Sequence, residues 1–222
     1  MDIAASNQTS VKIQLGMFES IIDLLSVKPV FLIGIVLVGI VLVVIFRKNH
    51  DIPKIKTSVA LLIMYYYLCL MLTNIVGMPT LSEYIRVLQI GETIFHPNIN
   101  LIPFSDGLSL SFMLNFFLFI PLGFLAPLVS RIYECAKNTF FIGLGLSVFI
   151  EISQLFTLYR ATDINDLLTN VIGAMAGYLC FRLIARLRLV KLHPNQQSMG
   201  KDSTAYLPVI VVIVAIVVSF FS

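Results

Sequence analysis

Six apolar runs, each close to a membrane-span length, follow one another from residue 30 to the C-terminus. They cover approximately 30–46, 58–78, 108–130, 139–158, 166–185 and 206–222. A span needs roughly 20 such residues. In lipid every backbone N–H and C=O must find an internal partner, so runs of this kind are helices. No soluble domain fits between them. Composition points the same way: 58% of the 222 residues are hydrophobic and only 12% are charged, against about 25% charged in soluble domains. The expectation is an all-α membrane protein, a bundle of about six transmembrane helices with short interfacial helices added.

The charges in the links predict how such a bundle is inserted, because Lys and Arg collect on the cytoplasmic side. Arg47, Lys48, Lys54 and Lys56 follow the first run; Arg131 and Lys137 oppose Glu134 in the third link. Arg182, Arg186, Arg188, Lys191 and Lys201 fall in the last. These links are expected inside. Glu83, Glu92 and Asp106 against Arg86, and Arg160 with Asp163 and Asp166, mark outside links. Both termini are then expected outside.

The chain divides accordingly. Residues 1–28 read as an amphipathic segment on the membrane surface, with Ile13, Met17, Ile21, Leu24 and Leu25 at helical spacing and no signal-peptide pattern. Residues 29–57 give a first span and a cytoplasmic link, 58–187 a four-span core, and 188–222 a link and the last span. In the long outer link, Thr80 and Glu83 have capping-box spacing, and Gly91 is placed to end a short interfacial helix over 81–90. His96-Pro97 and Pro103 exclude a regular helix from Thr93 to Phe104, which is expected to be extended or hairpin-like. Cys69, Cys135 and Cys180 show no paired spacing and are expected as free thiols.

Against this background, the polar residues inside the spans stand out. A carboxylate at mid-span costs roughly 2.5–3.5 kcal/mol on insertion scales. Yet Glu151 lies in the fourth run with Ser147 and Gln154 on the same helical face, at i, i+4 and i+7. Asp163, Asp166 and Asn170 share a face at the start of the fifth run, and Asn115 lies in the third. At 1.5 Å rise per residue, Asn115 and Glu151 sit roughly 10 Å below the outer surface and Asn170 roughly 6 Å below it. Three spans thus bring polar groups to one level, around an expected outward-facing pocket. Asn100, Pro103 and Phe104, just before the third span, are candidates for a lid. Gly173 and Gly177 make a small-xxx-small face for close packing, and Pro121 with Gly123 is expected to kink the third span and free a carbonyl. Plainer roles stand beside these. Asp163 suits a helix cap, Asp166 a dipole partner, Asn115 and Asn170 interhelical hydrogen bonds, and Arg160 an ion pair with Glu151. His96 stands alone in its loop and makes no metal site.

Three blocks of this sequence are similar to the VanZ-like family of bacterial membrane proteins. They are NINLIPF, with Asn100, Pro103 and Phe104; NFFLFIPLGF, with Asn115, Pro121 and Gly123; and EISQLF followed by RATDINDLLTNVIGAMAG, with Glu151, Gln154, Arg160, Asp163, Asp166, Asn170, Gly173 and Gly177. The resemblance covers about 60–185, the four central spans. Ala161-Thr162 departs mildly from the family pattern, in which a large residue usually precedes the aspartate. The resemblance implies a link to reduced sensitivity to teicoplanin and related lipoglycopeptides; it supplies no reaction.

Three functions are compatible with these residues. In the first, the pocket binds a polar head group of an outer-leaflet lipid or a cell-wall precursor. In the second, Glu151, Asp163 and Asp166 serve an intramembrane enzyme as acid and base or as oxygen ligands to a divalent cation; no HExxH, Ser-His-Asp order or phosphate-binding loop is present to support it. In the third, Glu151 is the proton site of a transporter or flippase, for which the inner halves of the third to fifth spans offer few polar groups. The first is favoured, with the lipid bilayer as the other partner. No cofactor, metal or nucleic acid is expected, and the oligomeric state is left open.

Overall fold

The computed structural model describes residues 28–48, 53–95, 97–100, 102, 110–157, 162–187 and 204–222. Among these, each of the six apolar runs carries a helix: α1 Pro29–Lys48, α2 Lys54–Leu70, α4 Leu110–Val129, α5 Ala136–Gln154, α6 Ile164–Arg186 and α7 Leu207–Phe220. A short helix, α3 Leu81–Gln89, lies between α2 and α4. Among the described residues, four helical segments are long and apolar enough to cross a membrane: Pro29–Lys48, Lys54–Ile75, Ser111–Val129 and Ile164–Arg186. Helix α5 has the length, at 19 residues, but Lys137, Asn138, Glu151 and Gln154 dilute its hydropathy. Helix α7 has 14 residues, or about 21 Å of rise. The amphipathic segment expected over 1–28 lies, but for Lys28, outside the described residues.

Helices α4 and α6 make the most extensive contact in the bundle, and α5 packs beside α6. Their closeness comes from missing side chains. A Cβ on Gly123 would overlap the Ala174 carbonyl; one on Gly173 or Gly177 would overlap the carbonyl of Phe116 or Ile120. Without a hydrophobic force between helices in lipid, such backbone-to-backbone approach is what holds them together. Helix α4 runs on through Pro121 and Pro127; the missing N–H of Pro121 leaves the Phe117 carbonyl without its usual donor.

A second group, α1, α2 and α7, packs together and meets α4 through α2. Tyr65 of α2 lies over Gly34 of α1 and donates to the Phe31 carbonyl at 2.9 Å, while the Tyr67 hydroxyl donates to the Leu118 carbonyl of α4. The outward faces are apolar: Leu168, Ile172, Leu179 and Leu183 form one exposed stripe along α6, the face that lipid covers. Cys69, Cys135 and Cys180 are free thiols.

At its C-terminal end α2 widens into a π-turn, Met71–Ile75, and the chain reverses through Gly77 at φ 64°. Thr80 then caps α3 by accepting from the Glu83 amide at 3.3 Å. Gly91, at φ 77°, ends that helix; its amide bonds the Leu88 carbonyl and the Glu92 amide the Val87 carbonyl, the paired pattern of a left-handed C-terminal cap. The extended segment expected after it includes a two-residue strand, β1 Ile99–Asn100, which pairs in parallel with β2 Thr162–Asp163, directly before α6.

Candidate functional site

The β1–β2 bridge closes one end of the α4–α5–α6 group, and Glu151 fastens it there. One carboxylate oxygen, Oε2, accepts from the Asp163 amide at 2.9 Å, and the Glu151 carbonyl accepts from the Thr162 hydroxyl at 2.9 Å. Asp163 in turn caps α6, its Oδ1 accepting from the Asn165 amide at 2.8 Å, and its Oδ2 accepts from Asn100 Nδ2 at 3.4 Å. The capping role read for Asp163 is therefore present, and Asn100 is held beside it. Pro103, Phe104 and Arg160 lie outside the described residues.

Below the bridge is a cavity of about 100 Å³. Glu151 and Gln154 line it from α5, Asp166 and Asn170 from α6, and Ser111, Asn115 and Leu118 from α4. Ile75 and Val76, delivered by the π-turn, complete one wall with Leu114 and Ile150. Its floor is buried, with Glu151 4%, Gln154 6% and Asn170 3% exposed. Asn115 and Asp166 are half-buried and Ser111 is exposed, so polar groups lead from the surface inward. The polar groups of three different helices meet at one hollow.

Three oxygens in the floor have no hydrogen-bond partner: Glu151 Oε1, Gln154 Oε1 and Asn170 Oδ1. The Asn170 amide is oriented by its neighbours. Its Nδ2 donates to Ser147 Oγ at 3.0 Å, and the Ser147 hydroxyl points its own proton toward the Leu167 carbonyl at 3.5 Å. That leaves the Asn170 oxygen for the cavity. The interhelical bond read for Asn170 is present, and it uses only half of the amide. Leaving a buried acceptor unpaired costs about 1–3 kcal/mol. Charge adds to this, since Asp163 and Asp166 lie close enough to Glu151 to interact electrostatically with it. Among the described residues, no group of three or more His, Cys, Asp or Glu side chains is arranged to hold a metal ion.

On the other side of the last turns of α5 lies a larger hollow, about 330 Å³, lined by Met78, Tyr84, Phe149, Phe156, Phe220 and their apolar neighbours. It is shaped between α5, α3 and α7, with Tyr84 and Phe220 ring centroids 5.9 Å apart.

Six residues of the cavity lining were missed in the sequence: Ile75, Val76, Ser111, Leu114, Leu118 and Ile150. Ser111 is one turn before Asn115, a spacing that places both on one face. Val76 gave no signal, because its position depends on the π-turn.

An all-helical bundle with membrane-length apolar helices and buried polar residues defines a membrane protein. A family model described as VanZ/LLP1 matches residues 34–185, and the chain belongs to that family. The match takes in most of α1, which the resemblance seen in the sequence left out. No curated protein and no solved structure matches the chain.

Proposed function

We propose that this protein is a binding protein of the outer leaflet, which holds the polar head group of a lipid or lipid-linked cell-wall precursor in the cavity beneath β1 and β2. All six long helices cross the membrane in this reading, α5 and α7 included, with α3 lying at the interface. The link charges set the cavity end and both termini outside. The observation that carries the reading is the trio of unpartnered buried oxygens facing one hollow from two helices. A structure keeps such groups at a cost, and an occupant that fills their hydrogen bonds recovers it. The neighbouring apolar hollow suits the acyl or prenyl chain of the same kind of ligand. By its resemblance to the VanZ-like family, the consequence in a cell is altered access of lipophilic glycopeptides to the membrane.

Teicoplanin susceptibility tests this in a bacterium producing the wild-type chain or the Glu151→Gln or Asp166→Asn variant at equal membrane abundance. Wild type lowers sensitivity and both variants lose that effect. Unchanged protection from both variants would overturn the reading.

A further inference from the structure

We infer that the cavity selects a primary ammonium group, so that the head group it takes is cationic and rich in N–H donors. This rests on the binding role proposed above and specifies its ligand class.

The inference follows from counting donors and acceptors. Glu151 Oε1, Gln154 Oε1 and Asn170 Oδ1 are all acceptors without a partner. Were Glu151 neutral, its single proton would serve Oε1 and one further oxygen, leaving the third unfilled. An ammonium group brings three N–H donors, one for each oxygen, together with a positive charge. Charge agrees. Glu151 and Asp166 both line the cavity, and no Lys, Arg or His does so among the described residues. A phosphate placed there would meet two carboxylates and two amide oxygens, which repel it. A trimethylammonium group matches the charge but donates no hydrogen bond, so it leaves all three oxygens unfilled. Size agrees too: about 100 Å³ is the share of about three water molecules, room for an ammonium and a short stem. A metal cation is a weaker fit, since the floor offers one carboxylate and two amide oxygens, and among the described residues no three-residue metal-ligand group is present.

Glu151→Gln separates this role from folding. The Asp163 amide is a donor, so the new amide turns its oxygen to it and keeps the bond now made by Oε2. Its NH2 then points into the cavity, replacing an acceptor by a donor. Gln154→Met removes an acceptor at similar volume and provides an independent variant.

The full chain in nanodiscs of equal parts phosphatidylethanolamine, phosphatidylcholine and phosphatidylglycerol is released for native mass spectrometry. A second arm titrates n-butylammonium chloride against sodium chloride in detergent, read by thermal unfolding. The expected result is retention of phosphatidylethanolamine at least tenfold over the other two lipids, with that preference lost in both variants. Butylammonium should raise the unfolding temperature of wild type beyond the sodium control. Retention of phosphatidylglycerol or phosphatidylcholine instead would overturn the ammonium assignment while leaving head-group binding intact. Stabilisation by butylammonium with no retained lipid would support the ammonium site and overturn the lipid reading. Equal stabilisation by sodium, or an unchanged lipid preference in both variants, would overturn the inference.

Discussion

The Glu151 carboxylate accepts the amide proton of Asp163 at 2.9 Å, so the residue that faces the cavity also fixes the strand above it. The two oxygens of one side chain divide the work. Oε2 ties the end of α5 to the start of α6, and Oε1 is left for the hollow. Truncation and amide substitution therefore have different consequences. Glu151→Ala leaves the Asp163 amide unpaired and should cost about 1–3 kcal/mol, read as a lower unfolding temperature in detergent. Glu151→Gln should unfold close to wild type. Equal loss in both variants would show that charge, and not this hydrogen bond, sustains the end of the bundle.

The glycines of the α4–α6 crossing allow a test with an internal control. Gly123→Ala, Gly173→Ala and Gly177→Ala each place a methyl against a backbone carbonyl, whereas the same change at Gly145 meets nothing within 4 Å. The first three should each lose about 1–3 kcal/mol through overpacking, seen as reduced folded yield and lower thermal stability. Gly145→Ala should stay at or above wild type, since alanine is the better helix former.

Tyr65→Phe removes the hydroxyl that donates to the Phe31 carbonyl and keeps the ring over Gly34. A loss of about 1 kcal/mol is expected. Cross-linking between cysteines placed in α1 and α2 should report a looser contact between those helices.

Cys135 is exposed in the link after α4, Cys69 is buried, and Cys180 is exposed on α6. With Cys180→Ser, which removes the other exposed thiol, a membrane-impermeant maleimide should label Cys135 in inside-out vesicles and not in intact cells. The opposite pattern would invert the proposed insertion.

Much of this site is visible in the sequence because helical geometry is local. Ser147, Glu151 and Gln154 fall on one face by spacing alone, as do Asp166 and Asn170, and all of them are found on the inner side of their helices. Likewise, Thr80 and Gly91 announce the two ends of α3. The remainder depends on tertiary encounter. Nothing near Asn100 indicates that it pairs with Asp163, 63 residues away, since a two-residue strand carries no periodicity. The Met71–Ile75 π-turn is equally hidden inside an apolar run, although it brings Ile75 and Val76 to the cavity wall. The spacing of Gly173 and Gly177 shows that something packs closely there; only the fold shows that it is the backbone of Phe116 and Ile120.

High-resolution density for the protein in lipid nanodiscs tests the central claim most directly. The account predicts a non-protein group within hydrogen-bond distance of Glu151 Oε1, Gln154 Oε1 and Asn170 Oδ1, continuous with a lipid tail. A collapsed, dry contact between those side chains, or ordered water alone against them, would contradict it.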